Sequence, residues 1–468
     1  MQDMGNNSKN IPGSVPLTDL PMGWRQYRIV TVASLGQMIG TIVATIAGVI
    51  IPLLNILMHP ELSPFMQGLI GSIDLIGICI GASIFGRLSD KYGYLLFFRL
   101  CPALILAASV AGVFLGDVWG VTLCLFVIGL GIGGEYSLDS DYVSELMPKG
   151  YGPLMVGVTK TASALGNIIA AALCLWIIMD TRRAEVWPQL LWIVAGTAAL
   201  MLILRIKFYQ SPSWLQSHGK DAEAEKAVKE FLGPRATLPA TTSQAATSST
   251  PQKENMWQFM VRNGKQVILS GIPWACEGLG VYGIGVFLPI LVMALGLEHF
   301  TKGMPEVLHV AESVKVTLWI SCIMLPGFIL GLILIRRKVR ITLIQSAGFW
   351  LCAVSLVILA LSYHFGWNKW WSIGSFMAFE LFLNMGPHLI TYVLPPRIYP
   401  VETRGQGVGL AASIGKIGAV VGVFLIPILL KAGGALLVLI VSAAVMAAGA
   451  IVTNIYGALV SKEENVRI

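Results

Sequence analysis

Apolar runs of twenty or more residues recur along nearly the whole sequence, and a chain built this way has few places to fold other than a lipid bilayer. A helix rising 1.5 Å per residue needs about 20 apolar residues to cross the hydrocarbon core. Windows that meet this requirement fall near 28–54, 66–88, 94–116, 118–146, 152–179, 188–207, 266–297, 313–335, 341–363, 370–394, 405–431 and 434–460. Twelve membrane-spanning helices are expected. A transmembrane barrel would show short alternating strands, whereas continuous apolar runs satisfy their backbone hydrogen bonds within each segment. Composition agrees, with 55% hydrophobic and only 12% charged residues, against about a quarter charged in soluble domains.

The widest gap between spans divides them six and six. The expected organisation is an N-terminal segment 1–27, a six-helix bundle 28–207, a linker 208–265, a second six-helix bundle 266–460 and a tail 461–468. The opening residues are polar and lack a signal-peptide core, so the first span is expected to stay as an anchor. In the linker, "SPSWLQSHGKDAEAEKAVKEFLG" reads as a short amphipathic helix, and the Ser/Thr-rich stretch after it as disordered. An even number of spans puts both termini on one side. Most of the 32 Lys and Arg fall on that side, and only Arg182, Arg183, Lys302, Lys315, Lys369 and Lys431 lie opposite. Cytoplasmic loops collect positive charge, so both termini are expected in the cytoplasm of a multi-pass protein of a cell inner (plasma) membrane. The net charge of +7 then follows from topology, with no nucleic-acid partner required. The seven cysteines all fall in expected spans without CxxC spacing and read as apolar packing residues, not metal ligands.

Two motifs stand out in the first half. "GRLSDKYG" places Gly86, Asp90 and Gly93 in the short loop between spans two and three. This resembles the G-x-x-x-D-x-x-G loop of the major facilitator superfamily, where the aspartate and a nearby base hold the two halves together. In the second half, "GFILGLILIRRKVR" keeps Gly327, Gly331 and a basic cluster but has no aspartate. "GLGIGGEYSLDSDYVSE" is similar to the fourth-helix signature of the phosphate:proton symporter family, with Glu135 where that family has aspartate. "NMGPHLITYVLPPRIYPVETRGQGVGLAASIGKIGA" resembles its tenth and eleventh helices, matching among others at Asn384, Gly386, Pro387, Arg404, Gly415 and Lys416, while the seventh helix adds Trp274, Glu277 and Tyr282. "SPSWLQSHGK" is like a loop helix shared with the sugar porters. The chain departs from the phosphate family at Gln37, Leu125 and His388, where that family has an acid, an arginine and an asparagine. The resemblance implies an all-α membrane protein of two six-helix bundles, the major facilitator fold, with a substrate cavity between them.

A charge near the bilayer centre costs at least about 2.5–3.5 kcal/mol, so embedded charges mark partners or paths. At 1.5 Å per residue, Asp139 lies about 11 Å, Lys160 about 12 Å and Glu135 about 16 Å from the cytoplasmic boundary. Lys160 and Asp139 are therefore expected to approach each other. Glu135 stands one turn from Asp139 on one face, whereas Asp141 and Glu145 share another. Glu145 reads as a gate lock or loop cap, and Asp141 has no assigned role. Glu277 and Lys416 reach similar depth and suggest a pair or a shared ligand, for which a helix-orienting salt bridge is the alternative. Asp74 is either a proton carrier or a packed, hydrogen-bonded group. Glu380 is expected near water at the outer end of span ten. His388 is either a packing group or a titrating ligand. Tyr136, Trp274, Tyr282 and Tyr392 are candidate cavity walls.

These residues point to a secondary transporter working by alternating access. Substrate contacts are expected from Lys160, Lys416, Tyr136, Trp274, Tyr282, Asn384 and His388. Proton coupling is expected from Glu135, Asp139, Glu277 and Asp74, and gating from Gly86, Asp90, Gly93, Glu145 and Arg404. With Lys160 and Lys416 as the embedded bases, the expected cargo is a small anion, an organic acid or phosphate-like metabolite, moved with protons. Two alternatives are an exporter of organic cations or drugs and a nutrient receptor on the same fold. No nucleotide-binding loop, HExxH or GxSxG occurs, so no enzyme activity, cofactor or metal is expected, and a monomer is the expected unit.

Overall fold

The computed structural model describes residues 15–16, 21–148, 151–237, 256–297, 303–399 and 404–463. The Ser/Thr-rich part of the linker lies outside these residues, and the side chains of Asp90, Asp141 and Arg404 lie outside the description too. The first five spans are single helices: α1 (Trp24–Leu57), α2 (Pro64–Tyr92), α3 (Tyr94–Leu115), α4 (Val118–Leu146) and α5 (Gly152–Thr181). The sixth begins as a 3-10 stretch, Ala184–Leu190, and continues as α6 (Leu191–Arg205). Starts are set by local chemistry. Ser63 accepts from the Met66 amide ahead of Pro64, and Asp117 accepts from the Gly120 amide at 2.8 Å, satisfying donors that a helix start leaves open.

Two short helices follow in the linker, α7 (Pro212–Ser217) and α8 (Asp221–Leu232), and α9 (Met256–Arg262) leads into the second bundle. Span seven is α10 (Gly264–Gly278), a π-helical stretch Leu279–Ile284 and α11 (Leu288–Ala294). Span eight is α12 (Glu306–Cys322) with α13 (Met324–Arg336), and span nine is α14 (Ile341–His364). Span ten breaks into α15 (Lys369–Met385) and α16 (Pro387–Val393), because Pro387 has no N–H to continue the ladder and Gly386 takes φ −115°, ψ −89°. A single turn, α17 (Pro395–Ile398), precedes α18 (Arg404–Glu463). Among the described residues, ten segments are long and apolar enough to cross a membrane. The last of them holds two spans, since Gly433 and Gly434 leave helical geometry, and the broken tenth span completes the expected twelve.

Spans one to six pack on each other as one bundle, and in the other α10 and α14 pack on α18 while α15 and α16 pack on α14. Between the bundles, α5 lies against α12 and α13, α2 against α18, and α1 against α11 and α12. Their seam is closed on the side away from the termini. There the bare Cα atoms of Gly48 and Gly68 let α1 and α2 meet the backbone of Val286 and Phe424, so closely that a Cβ on Gly48 would sit 1.9 Å from the Val286 carbonyl oxygen. Asn167 of α5 adds a polar link, accepting from Thr45 and donating to Ser321 Oγ at 3.4 Å across the seam. On the side of the termini, Ser83 of α2 and Ser413 of α18 are exposed, and nothing lies within 4 Å of where a Gly409 Cβ would be. The seam is thus tightly closed on the far side, while toward the terminal side α5 still meets α13, with Leu332 3.7 Å from where a Gly157 Cβ would be.

A buried ion cluster and an aromatic cage

Two groups of polar side chains occupy the interior. The first lies wholly within the N-terminal bundle. Arg205, at the end of α6, is fully buried and grips two carboxylates of α4: Nη2 stands 2.6 Å from Glu135 Oε2 and 3.1 Å from Asp139 Oδ1, while Nη1 donates to Glu135 Oε1 at 2.9 Å. Nη1 also donates to the Phe98 carbonyl at 3.0 Å, and the guanidinium stacks 3.7 Å over the Phe98 ring. The one-turn spacing of Glu135 and Asp139 presents both acids to one planar fork, an arrangement that suits arginine better than lysine. Asp139 Oδ2 rests against the bare Cα of Gly36 in α1 and has no hydrogen-bond partner among the described residues.

This corrects the expectation that Asp139 would meet Lys160. The sequence reading took only Lys160 and Lys416 as embedded bases, yet Arg205 is the counter-ion, buried to 0% exposure. Its location in the apolar run "AALMLILRIKF" is the signal that marks it as embedded.

The second group sits between the bundles. Lys160 of α5 places Nζ 4.4 Å from the Tyr392 ring centroid and 5.6 Å from that of Tyr136. Lys416 of α18 comes from the opposite bundle, with Nζ 5.2 Å from the Tyr136 centroid, 4.5 Å from that of Tyr282, and donating to the Tyr282 hydroxyl at 3.0 Å. Trp274 closes the wall, edge-on to Tyr392 at 4.9 Å. Two glycines make room for these rings: the Tyr136 hydroxyl lies against Gly40 and the Trp274 indole against Gly415, each where a Cβ would collide. Neither lysine has a carboxylate within 4 Å among the described residues.

Glu277 and Lys416 share this region but do not form the ion pair their common depth suggested. Glu277 is nearest His388, with Oε1 3.7 Å from Nδ1, and both are buried. His388 in turn packs between Phe328 and Tyr392. Asn384 donates to Glu380 Oε2 at 3.2 Å, and Glu380 is 5% exposed, so it is a buried partner of Asn384 and not a water-facing acid. Asp74 is buried in α2 and accepts from the Leu75 amide at 2.8 Å. The interior therefore gathers Lys160, Lys416, Tyr136, Trp274, Tyr282, Tyr392, Glu277 and His388 at one level, and sets Glu135 and Asp139 apart from them.

Of the residues assigned to gating, Gly93 ends α2 at φ +95°, where a side chain is strained, and its bare Cα accommodates the amide of Gln210. Gln210 Oε1 accepts from the Leu95 and Ser211 amides, docking the loop of spans two and three onto the chain leaving span six. Glu145 accepts from Ser211 Oγ at 2.7 Å in the same junction. Gly86 faces Ser137 of α4, 3.8 Å from where its Cβ would be.

Residues 22–457 match the family described as sugar (and other) transporter. The chain belongs to that family. The inner membrane metabolite transport protein YgcS of Escherichia coli is 26% identical over 395 residues, covering 84% of this chain and 83% of the relative. The niacin transporter NiaP of Acinetobacter baylyi is 25% identical, covering 89% and 90% of the two chains. The low affinity inorganic phosphate transporter 4 of Lotus japonicus is 26% identical, covering 77% and 73%. Among solved structures, the partially occluded inward open conformation of the E. coli xylose transporter XylE superposes with a TM-score of 0.75 at 17% identity, covering 92% of this chain and 97% of that one. At that identity the likeness establishes the fold, that of the major facilitator superfamily. The chain is a multi-pass membrane transporter and not an enzyme.

Proposed function

We propose that this transporter moves a small organic anion with a flat, apolar body, such as an aromatic carboxylate, together with protons. The observation that carries this reading is the pair of ammonium groups, Lys160 and Lys416, one from each bundle, both turned toward one aromatic cage with no carboxylate within 4 Å among the described residues. An anion entering the cage satisfies both charges at once, and charge-assisted hydrogen bonds to carboxylate are among the stronger ones available. The rings of Tyr136, Tyr282, Tyr392 and Trp274 stack on a planar body and hold each lysine until then. A cationic drug would instead meet two ammonium groups. Because the lysines belong to different bundles, an anion bridging them favours closure around itself, which is the step alternating access needs.

The names of relatives support an anion: one is a niacin transporter and another carries inorganic phosphate. A proton:xylose symporter among the structural neighbours supports proton coupling. For coupling, Arg205 brings one positive charge to the two carboxylates of Glu135 and Asp139, leaving one negative charge in a dry site for a proton to neutralise. Glu277 beside His388 is a second proton site, adjacent to the cage. The excess of basic residues on the terminal side supports a cytoplasmic location for both termini in a cell inner membrane.

Calorimetric titration of the purified protein tests the substrate class. Nicotinate or benzoate should bind, and Lys416→Ala should weaken that binding by about 10-fold or more, the worth of one lost charge-assisted hydrogen bond. Binding of xylose with no response to either lysine would reject the anion reading.

A further inference from the structure

A second basic site lies outside the transport path, on the terminal side of the N-terminal bundle. The first turn of α1, the chain leaving α6, and α8 of the linker enclose a hollow of about 220 Å³. Arg25, Arg28 and Lys207 line it, and none of the three makes an ion pair among the described residues. Among the described residues Arg28 makes only a long hydrogen bond, 3.5 Å, to the Lys207 carbonyl and stacks 5.3 Å over Phe208. The single acid in the wall among the described residues, Glu230, is drawn toward another base, with Oε1 3.9 Å from Lys226 Nζ. Three like charges facing one cavity repel each other unless an anion sits among them, and two guanidinium groups with an ammonium are a phosphate-binding set.

The surroundings say which kind of phosphate. Beside the hollow, Trp24 is 80% exposed, Tyr27 52% and Ile206 64%, at the ends of the first and sixth spans. Trp and Tyr at that level favour the headgroup zone of a bilayer, and uncovered apolar side chains next to a basic hollow suit a ligand that carries its own acyl chains. Arg25 also lies against the bare Cα of Gly233, just past α8, and Phe231 of α8 packs on Phe208 at 5.1 Å. A ligand here would join the membrane bundle to the linker helix.

We infer that this hollow binds the phosphate of an anionic phospholipid headgroup and that the lipid clamps α8 to the N-terminal bundle. The test uses the purified full-length protein in detergent, titrated with short-chain phosphatidylglycerol, short-chain phosphatidylcholine or inorganic phosphate, with thermal unfolding and native mass spectrometry as readouts. Phosphatidylglycerol should raise the unfolding temperature and be retained as an adduct, whereas the other two should do neither at equal concentration. In Arg25→Gln/Lys207→Gln, half-saturation should move up by about 10-fold or more, since each basic residue near an anionic surface is worth about fivefold. Glu230→Gln removes the only acid among the described residues of the wall and should move half-saturation the other way, so the idea stays testable if the double variant folds poorly. Equal phosphatidylglycerol responses in wild type and both variants would overturn the site. A phosphatidylcholine response as large as that to phosphatidylglycerol would overturn the anionic selectivity, and a response to inorganic phosphate alone would overturn the lipid.

Discussion

At the scale of single residues, a few side chains decide what the interior can do. Arg205 is the clearest case, since it is fully buried and every charge it neutralises belongs to α4. Arg205→Leu leaves two dry carboxylates facing one another, and removing one partner of a buried charge group costs about 3–5 kcal/mol. The unfolding temperature of that variant should fall steeply, and Glu135→Gln added to it should recover part of the loss, because the second change removes the stranded charge. A further fall on adding Glu135→Gln would show that the cluster is not held together by charge. Lys160, Lys416, Glu277, Asp139 and Glu135 were all legible in the sequence as embedded charges, because any ionised residue inside an apolar run stands out. Their partners were not. Helical rise gives depth but not the direction a side chain faces relative to other spans, so Lys160 and Asp139 shared a level and still turned to different neighbours, Tyr392 and Arg205.

At the scale of elements, apolar run length gave the number and place of the spans, because hydropathy in lipid is a one-dimensional property of the chain. What it did not give is how spans are interrupted. Span ten breaks at Gly386-Pro387, as that dipeptide suggests, but the π-helical turn at Leu279–Ile284, which carries the cage residue Tyr282, has no comparable mark in the sequence. The loop between spans two and three shows an element acting through one residue. Gly93→Ala would put a side chain at φ +95° and a Cβ 1.8 Å from Gln210 Nε2. Holding a side chain at φ +95°, ψ +151° costs about 1–3 kcal/mol, and displacing Gln210 also breaks its bonds to the Leu95 and Ser211 amides. Thermal unfolding should drop in Gly93→Ala and in Gln210→Ala, and the double variant should lose less than the sum. Strict additivity would mean that the two residues do not act together.

At the scale of the whole molecule, the two bundles meet tightly on the far side, with the cage between them. If the far-side seal must form and break in each cycle, Gly48→Val acts on it directly, since its Cβ would overlap the Val286 carbonyl oxygen. That variant should bind an anionic ligand within about threefold of wild type but lose most of its exchange across the membrane, because the closed arrangement is no longer reachable. Unchanged exchange would show that this contact is not part of the cycle. The measurement that bears most directly on function is uptake of labelled nicotinate and labelled xylose by purified protein in proteoliposomes, with and without an acid-outside gradient, for wild type and Lys416→Ala. Gradient-driven accumulation of nicotinate that disappears in Lys416→Ala is predicted. Accumulation of xylose in its place, or nicotinate uptake indifferent to Lys416, would contradict a proton-coupled anion transporter whose two bundles close on their cargo through Lys160 and Lys416.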